Sequence, residues 1–341
     1  MSANPDVLTE RDSVAKKQDL SDEFVNAEKR SLPFTSGVPK GTMPHAAQLE
    51  YPVEQYDSPN TDGAGDETDP VKYENPRQND GLLYARMQTW ERAVRIGDDV
   101  LTYAQLGGVT PRQQKAKAIA KKLVELKTDM ETTFLSDRES AAAAGVAVNQ
   151  NRGLGKWIQA TAQSHYPVPA AYLTPAASID ASTATADYTD QTITAVAESM
   201  FTQHGDEDVD MDVWCGSTWK RKLGRITFYQ KTESNMTNVR RFNQTELDEV
   251  QLGKVDVLMT DYGTFRVRLS RWINASSDPT SAASKLLALA CPMRMLELRM
   301  AATPYSLPLA RTGRNEKFLV AATGALTVLN PLPFGAWRPG S

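Results

Sequence analysis

Little in this chain invites catalytic or metal chemistry. Two cysteines among 341 residues give neither a disulfide framework nor a metal-ligand spacing. Cys215 and Cys291 sit in apolar stretches (DVWCG and LALACPM) and read as buried free thiols. Of the histidines His45, His165 and His204, no two stand four residues apart and none lies near a cysteine pair, so each reads as structural or exposed. No G-x-S-x-G elbow occurs, and no Ser/His/Asp order can be argued. A net charge of −4 excludes a generally basic nucleic-acid binder. No run of about 18 apolar residues exists, and the polar start MSANPDVLTERDSVAKK lacks the apolar stretch of a signal peptide. A cytoplasmic or cytoplasm-assembled protein without membrane contact is therefore expected.

What the chain does have is charge segregated along its length. Residues 48–80 hold nine carboxylates against Lys72 and Arg77, a balance of −7. Residues 110–127 hold six bases against Glu125, a balance of +5. The acidic stretch is rich in Pro, Gly, Asn and Asp and too poor in apolar residues to offset its own ordering entropy. It needs a surface to lie on, and a basic helix on an identical neighbouring subunit is an obvious candidate. Self-assembly is thus indicated before any catalytic motif is considered. The expected inter-subunit contacts are Asp62, Asp66, Glu67 and Asp69 on one chain against Lys115, Lys121 and Lys122 on another.

The helix over 110–137 is the best-defined element. Thr110 suits the N-cap and Pro111 the first turn. Ile119, Leu123, Leu126, Met130 and Phe134 recur at helical spacing and form one apolar stripe, with the lysines elsewhere. Residues 46–57 and 82–104 alternate and flank the acidic stretch, so they read as a long two-stranded hairpin with a loose tip. Residues 1–44 are polar and form an arm. Within it SDEFVNAEKR at 21–30 reads as a short helix and SLPFTSGVPKGTMP as an extended linker. Further on, a helix capped by Asp187 or Thr189 runs to about His204. DVDMDVWCG reads as a strand, and STWKRKLGRI as a short helix capped by Ser217. VDVLMTDYGTFRVRLSRWI reads as strand–turn–strand with Tyr262-Gly263 in the turn, and the last strands lie in LALACPMRMLELRMA and FLVAATGALTVL.

Two tempting motifs fail on spacing. Gly153-Leu154-Gly155-Lys156-Trp157 lacks the earlier glycine of a phosphate loop, and Trp157 stands where Ser or Thr is needed. It reads as a tight turn that seats Trp157 in a core. The acids Asp206, Glu207, Asp208, Asp210 and Asp212 lack the glycine and closing glutamate of a calcium loop and read as solvated.

The order of these parts resembles a tailed-phage major capsid protein of the Hong Kong 97 fold. The matching features are the polar N-arm, the hairpin with an acidic tip, the long helix, GLGKWI, and the hairpin TDYGTFRVRLSRWI. To these LARTGRNEKFLVAATGALTVLN adds Leu309, Ala310, Thr312, Gly313, Leu326, Val328 and Asn330. The likeness covers about residues 45–335. The Pro-rich end NPLPFGAWRPGS and the long N-arm depart from it.

The resemblance implies an α+β fold. Residues 1–44 are its N-terminal arm and 45–106 its extended loop. Residues 107–165 and 285–341 make a peripheral domain with a long spine helix, and 166–284 make an axial domain. It implies assembly into hexamers and pentamers that form an icosahedral or elongated head around double-stranded DNA, bound without sequence preference. A portal protein, and separate scaffold or decoration proteins where present, are the implied partners. No catalytic, cofactor-binding or metal-binding residue is assigned. Two other readings stay open on the residues alone: a cargo-enclosing nanocompartment shell of the same fold, and a soluble enzyme using the acidic loop.

Overall fold

A computed structural model describes residues 31–56, 61, 80–98, 111–144, 148–181, 189–204, 209–228, 256–273 and 288–338. The expected helix at 21–30 and the acids Asp62, Asp66, Glu67 and Asp69 lie outside them. The chain forms three sheets. Strands β1 (Gln48–Val53) and β2 (Gly81–Arg86) pair antiparallel. Strand β3 (Gln88–Gly97) lies beside β10 (Asn315–Val328), which pairs in turn with β9 (Leu296–Leu309). The third sheet has six strands in the order β4 (Ile179–Asp180), β11 (Gly335–Trp337), β8 (Ala288–Cys291), β5 (Val209–Cys215), β7 (Gly263–Leu269) and β6 (Val257–Thr260).

The hairpin across the acidic stretch is present, but only the first half of 82–104 belongs to it. The strand breaks at Met87, whose N–H still donates to Ala47 O at 2.9 Å, and β3 then crosses to a different sheet. Burial explains the break. Alternate residues of β3 (Gln88, Trp90 and Val94) are buried under the long helix, a face the hairpin lacks.

The linker at 31–44 is likewise not simply extended. It carries α1 (Pro33–Gly37), whose Phe34 is fully buried.

The long helix, α2 (Pro111–Phe134), lies across β3, β10 and β9. Its stripe deepens toward the C-terminus: Ile119 and Leu123 are partly buried, while Leu126, Met130 and Phe134 are buried. Just beyond it the chain turns back through α3 (Leu154–Trp157). There a Cβ on Gly153 would meet Ser136 O at 2.2 Å, so only glycine fits. Trp157 is fully buried, as the turn reading expects.

Helix α4 (Asp190–His204) and helix α5 (Ser217–Phe228) cover one face of the six-stranded sheet. Thr189 caps α4 reciprocally: its Oγ1 accepts from Thr192 N at 3.4 Å, and its own N–H donates to Thr192 Oγ1 at 3.0 Å. Ser217 is the first residue of α5 rather than its cap. The β6–β7 turn is Asp261-Tyr262, and Gly263 opens β7 at φ 141°, a value only glycine adopts without strain.

Two apolar cores result. Along β5, Trp214 faces the core under α2, while Met211, Val213 and Cys215 face the core under α4 and α5. In β8, Leu289 and Cys291 face the first core, and Ala288 and Ala290 the second. The closing strands are therefore divided between the sheets, with β8 and β11 in the six-stranded one.

Candidate functional site

The features that could carry chemistry are quiet. Burial raises the Cys215 thiol to about 12 and the Cys291 thiol further, so neither is a ready nucleophile. His165 Nδ1 lies 3.0 Å from Ser140 Oγ. The adjacent Glu139 does not orient that imidazole; it binds Arg152 Nε at 2.9 Å and the Ser140 N–H at 2.9 Å. Burial, then the charge of Arg86, lowers the His165 pKa. Of the acid run, Asp210 and Asp212 pair with Arg266 at 2.6 Å and Arg268 at 2.8 Å across β5 and β7. Among the described residues no group of three His, Cys, Asp or Glu side chains could hold a metal. An open groove of about 690 Å³ runs past His45, Met87, Glu91, Val148 and Thr323.

The surfaces are more informative. Lys115 Nζ reaches Glu316 Oε2 at 2.9 Å and stands over the Phe318 ring at 4.3 Å. Lys115, together with Arg311, holds the Glu316 carboxyl below the usual range. Lys122 pairs with Glu125 at 2.6 Å and lowers that carboxyl too. Lys121 is exposed. Two of the three lysines expected to meet a neighbour are thus engaged within their own subunit.

A surface that the sequence reading missed lies on the other side of the three-stranded sheet. Register places Tyr305, Leu307 and Leu309 of β9 beside Ala321, Leu319 and Lys317 of β10, and these beside Glu91, Ala93 and Arg95 of β3. This face points away from α2, which covers Phe318, Val320 and Ala322. Tyr305, Leu307 and Leu309 are 46%, 48% and 39% exposed, an unusual state for three alternating apolar residues of one strand. Arg95 and Lys317 sit directly opposite each other, a like-charge pair that disfavours the bare sheet. The period-2 spacing in TPYSLPL was the available signal.

A family model described as SU10 major capsid protein matches residues 7–337. The chain belongs to that family. It is a structural protein of the phage head, a shell component and not an enzyme. No curated protein matches the chain. Among solved structures it is similar to a chain from the "Capsid of native GTA particle computed with C5 symmetry", with TM-score 0.64 at 12% identity over 97% of this chain and 98% of that one. A chain of Mycobacterium phage Bobi aligns with TM-score 0.60 at 9% identity over 96% of each chain. One from "The capsid of Myoviridae Phage XM1" aligns with TM-score 0.58 at 11% identity, over 98% of this chain and 100% of that one. At such identities the likeness concerns the fold alone, and the fold is that of Hong Kong 97. The long helix α2 stands where the resemblance puts the spine helix.

Proposed function

We propose that the capsid protein assembles into hexamers and pentamers that close into an icosahedral or elongated head around double-stranded DNA. The family match over residues 7–337 carries this reading. In it, residues 1–44 are the N-terminal arm and 45–106 the extended loop. Residues 107–165 and 285–341 form the peripheral domain and 166–284 the axial domain, with β3 grouped with the peripheral sheet and β8 and β11 with the axial one. A portal protein, and scaffold or decoration proteins where present, join the shell. The net charge of −4 suits a container, because a strongly basic wall would hold DNA through counterion release and hinder its exit. The test is to express the chain, image the particles and assay them for nuclease-protected DNA. A stable monomer or dimer under all assembly conditions would defeat the reading.

Within the shell, the acidic residues Asp62, Asp66, Glu67 and Asp69 contact a neighbour. Lys121 on its spine helix is one receiver. The bare sheet face with Arg95, Lys317 and its apolar strip is a second, favoured by charge and by its unpaired apolar side chains. Each exposed pair contributes only about 0–1 kcal/mol, so the contact relies on repetition and weakens with salt. Reversing Lys121 and Lys122 to Glu, or Arg95 and Lys317 to Glu, should lower assembly. Reversing Asp66 and Glu67 to Lys should partly restore it in whichever background holds the true receiver.

A further inference from the structure

Residues 31–41 touch three parts of the subunit that the chain reaches much later. At their start the indole Nε1–H of Trp272, just past β7, donates to Ser31 O at 3.1 Å. In the middle, Phe34 lies edge-on against Trp214 of β5, with ring centroids 5.3 Å apart at 85°. There too the Glu131 carboxylate of the spine helix accepts the backbone N–H of Phe34 at 2.9 Å, that of Thr35 at 2.7 Å, and the Thr35 hydroxyl. At their end, Leu298 N–H of β9 donates to Pro39 O at 2.8 Å, and Gly41 N–H donates to Leu298 O at 3.1 Å. One short segment therefore packs on the six-stranded sheet and hydrogen-bonds to the spine helix and the edge of the three-stranded sheet.

Glu131 decides what this arrangement means. It is 0% exposed, and among the described residues no lysine or arginine pairs with it. A buried carboxylate is tolerated only where donors satisfy it, and its three donors all come from Phe34 and Thr35. A spine helix needing only to pack on a sheet would place an apolar residue there.

We infer that residues 31–41 are a strap that couples the N-terminal arm to the junction between the two sheets, with Glu131 as its positioning residue. Where a second copy of the chain holds residues 1–30, which rests on the proposed shell, that hold reaches the junction through the strap. The strap itself is a property of the single subunit.

Hydrogen exchange on dissociated full-length subunits tests it. Glu131→Gln keeps the shape but replaces an acceptor oxygen with a donor. It should speed exchange of the Phe34 and Thr35 amides by about ten- to a hundredfold, the factor corresponding to a hydrogen bond to a charged group. Trp272→Phe removes the bond to Ser31 from the opposite end. Both variants should also speed exchange of the Leu298 amide, which touches neither mutated side chain, while amides of α4 keep their rates. Should Glu131→Gln fail to fold, Thr35→Val removes only the hydroxyl and should act in the same direction less strongly. Unchanged Phe34 and Thr35 amides would overturn the role of Glu131. Faster local exchange with an unmoved Leu298 amide in both variants would overturn the strap. Shell yield after deleting residues 1–30 is read separately. A normal yield would mean that residues 1–30 hold no neighbouring subunit, and leaves the strap standing on its exchange rates.

Discussion

In the three-stranded sheet, β10 packs one face on the spine helix and leaves the other partly open, with Leu307 and Leu319 side by side on it. In the six-stranded sheet, β5 and β8 are covered on both faces, and every residue of β8 is buried. Their sequences differ accordingly. A strand buried on both faces reads as a continuous apolar run, as in ALAC. A strand with one covered face alternates, as β3 does, whereas residues 305–309 of β9 are exposed on both faces and carry Tyr305, Leu307 and Leu309 on the face away from α2. The central strands of the six-stranded sheet complete their burial within the subunit, with Val257, Met259 and Leu269 exposed only at its β6–β7 edge, while the three-stranded sheet leaves a face that a neighbour in the shell can cover.

The strongest test of that contrast is Trp214→Ala. This side chain is fully buried in the first core and stands on a strand shared by both, so its loss should cost about 3–5 kcal/mol by chemical denaturation. A cost below 1 kcal/mol would show that the two cores are not joined there. Next comes the gradient along the spine helix. Leu126→Ala should cost about 2–5 kcal/mol, and Leu123→Ala about half as much because Leu123 is only partly buried. Equal costs would erase the difference between the two ends of the helix. On the open face, Leu307→Ser should change the stability of the dissociated subunit by no more than about 0.5 kcal/mol while lowering shell yield severalfold. An unaltered yield would mean that nothing covers this face.

The smallest effect concerns pH. The His165 pKa is lowered in the folded chain, so the unfolded chain binds the proton first. The neutral ring's contribution is therefore complete above about pH 6.5, the ordinary histidine value, and declines as pH falls through the window below it. His165→Gln should flatten that small slope in a stability–pH series, and an unchanged slope would assign it to other groups.

Several elements were legible because they rest on local rules. The spine helix follows from Pro111 and the stripe Ile119–Phe134, the buried turn from Gly153 and Trp157, and the α4 cap from the pair Asp187 or Thr189, of which the structure uses Thr189. The hairpin was legible only in part, since alternation across 82–104 cannot say which partner each half of a strand will choose. Phe34 and Glu131 were missed for a related reason. A lone phenylalanine in a Pro-rich stretch and a glutamate on a charged helix look solvated until the fold brings them together across 97 residues. The lysines at 115 and 122 were legible as basic, but their partners Glu316 and Glu125 were not.

By itself the sequence determined the periodicities, the caps, the charge segregation and the order of motifs that marks a capsid protein. Each depends on neighbours within a few residues, or on an order that needs no coordinates. Only the tertiary structure decided which strands share a sheet, which lysines are already paired, which apolar face stays open and where the arm is strapped down. Those outcomes depend on contacts between distant segments, where burial and hydrogen-bond satisfaction, rather than local propensity, select the partner.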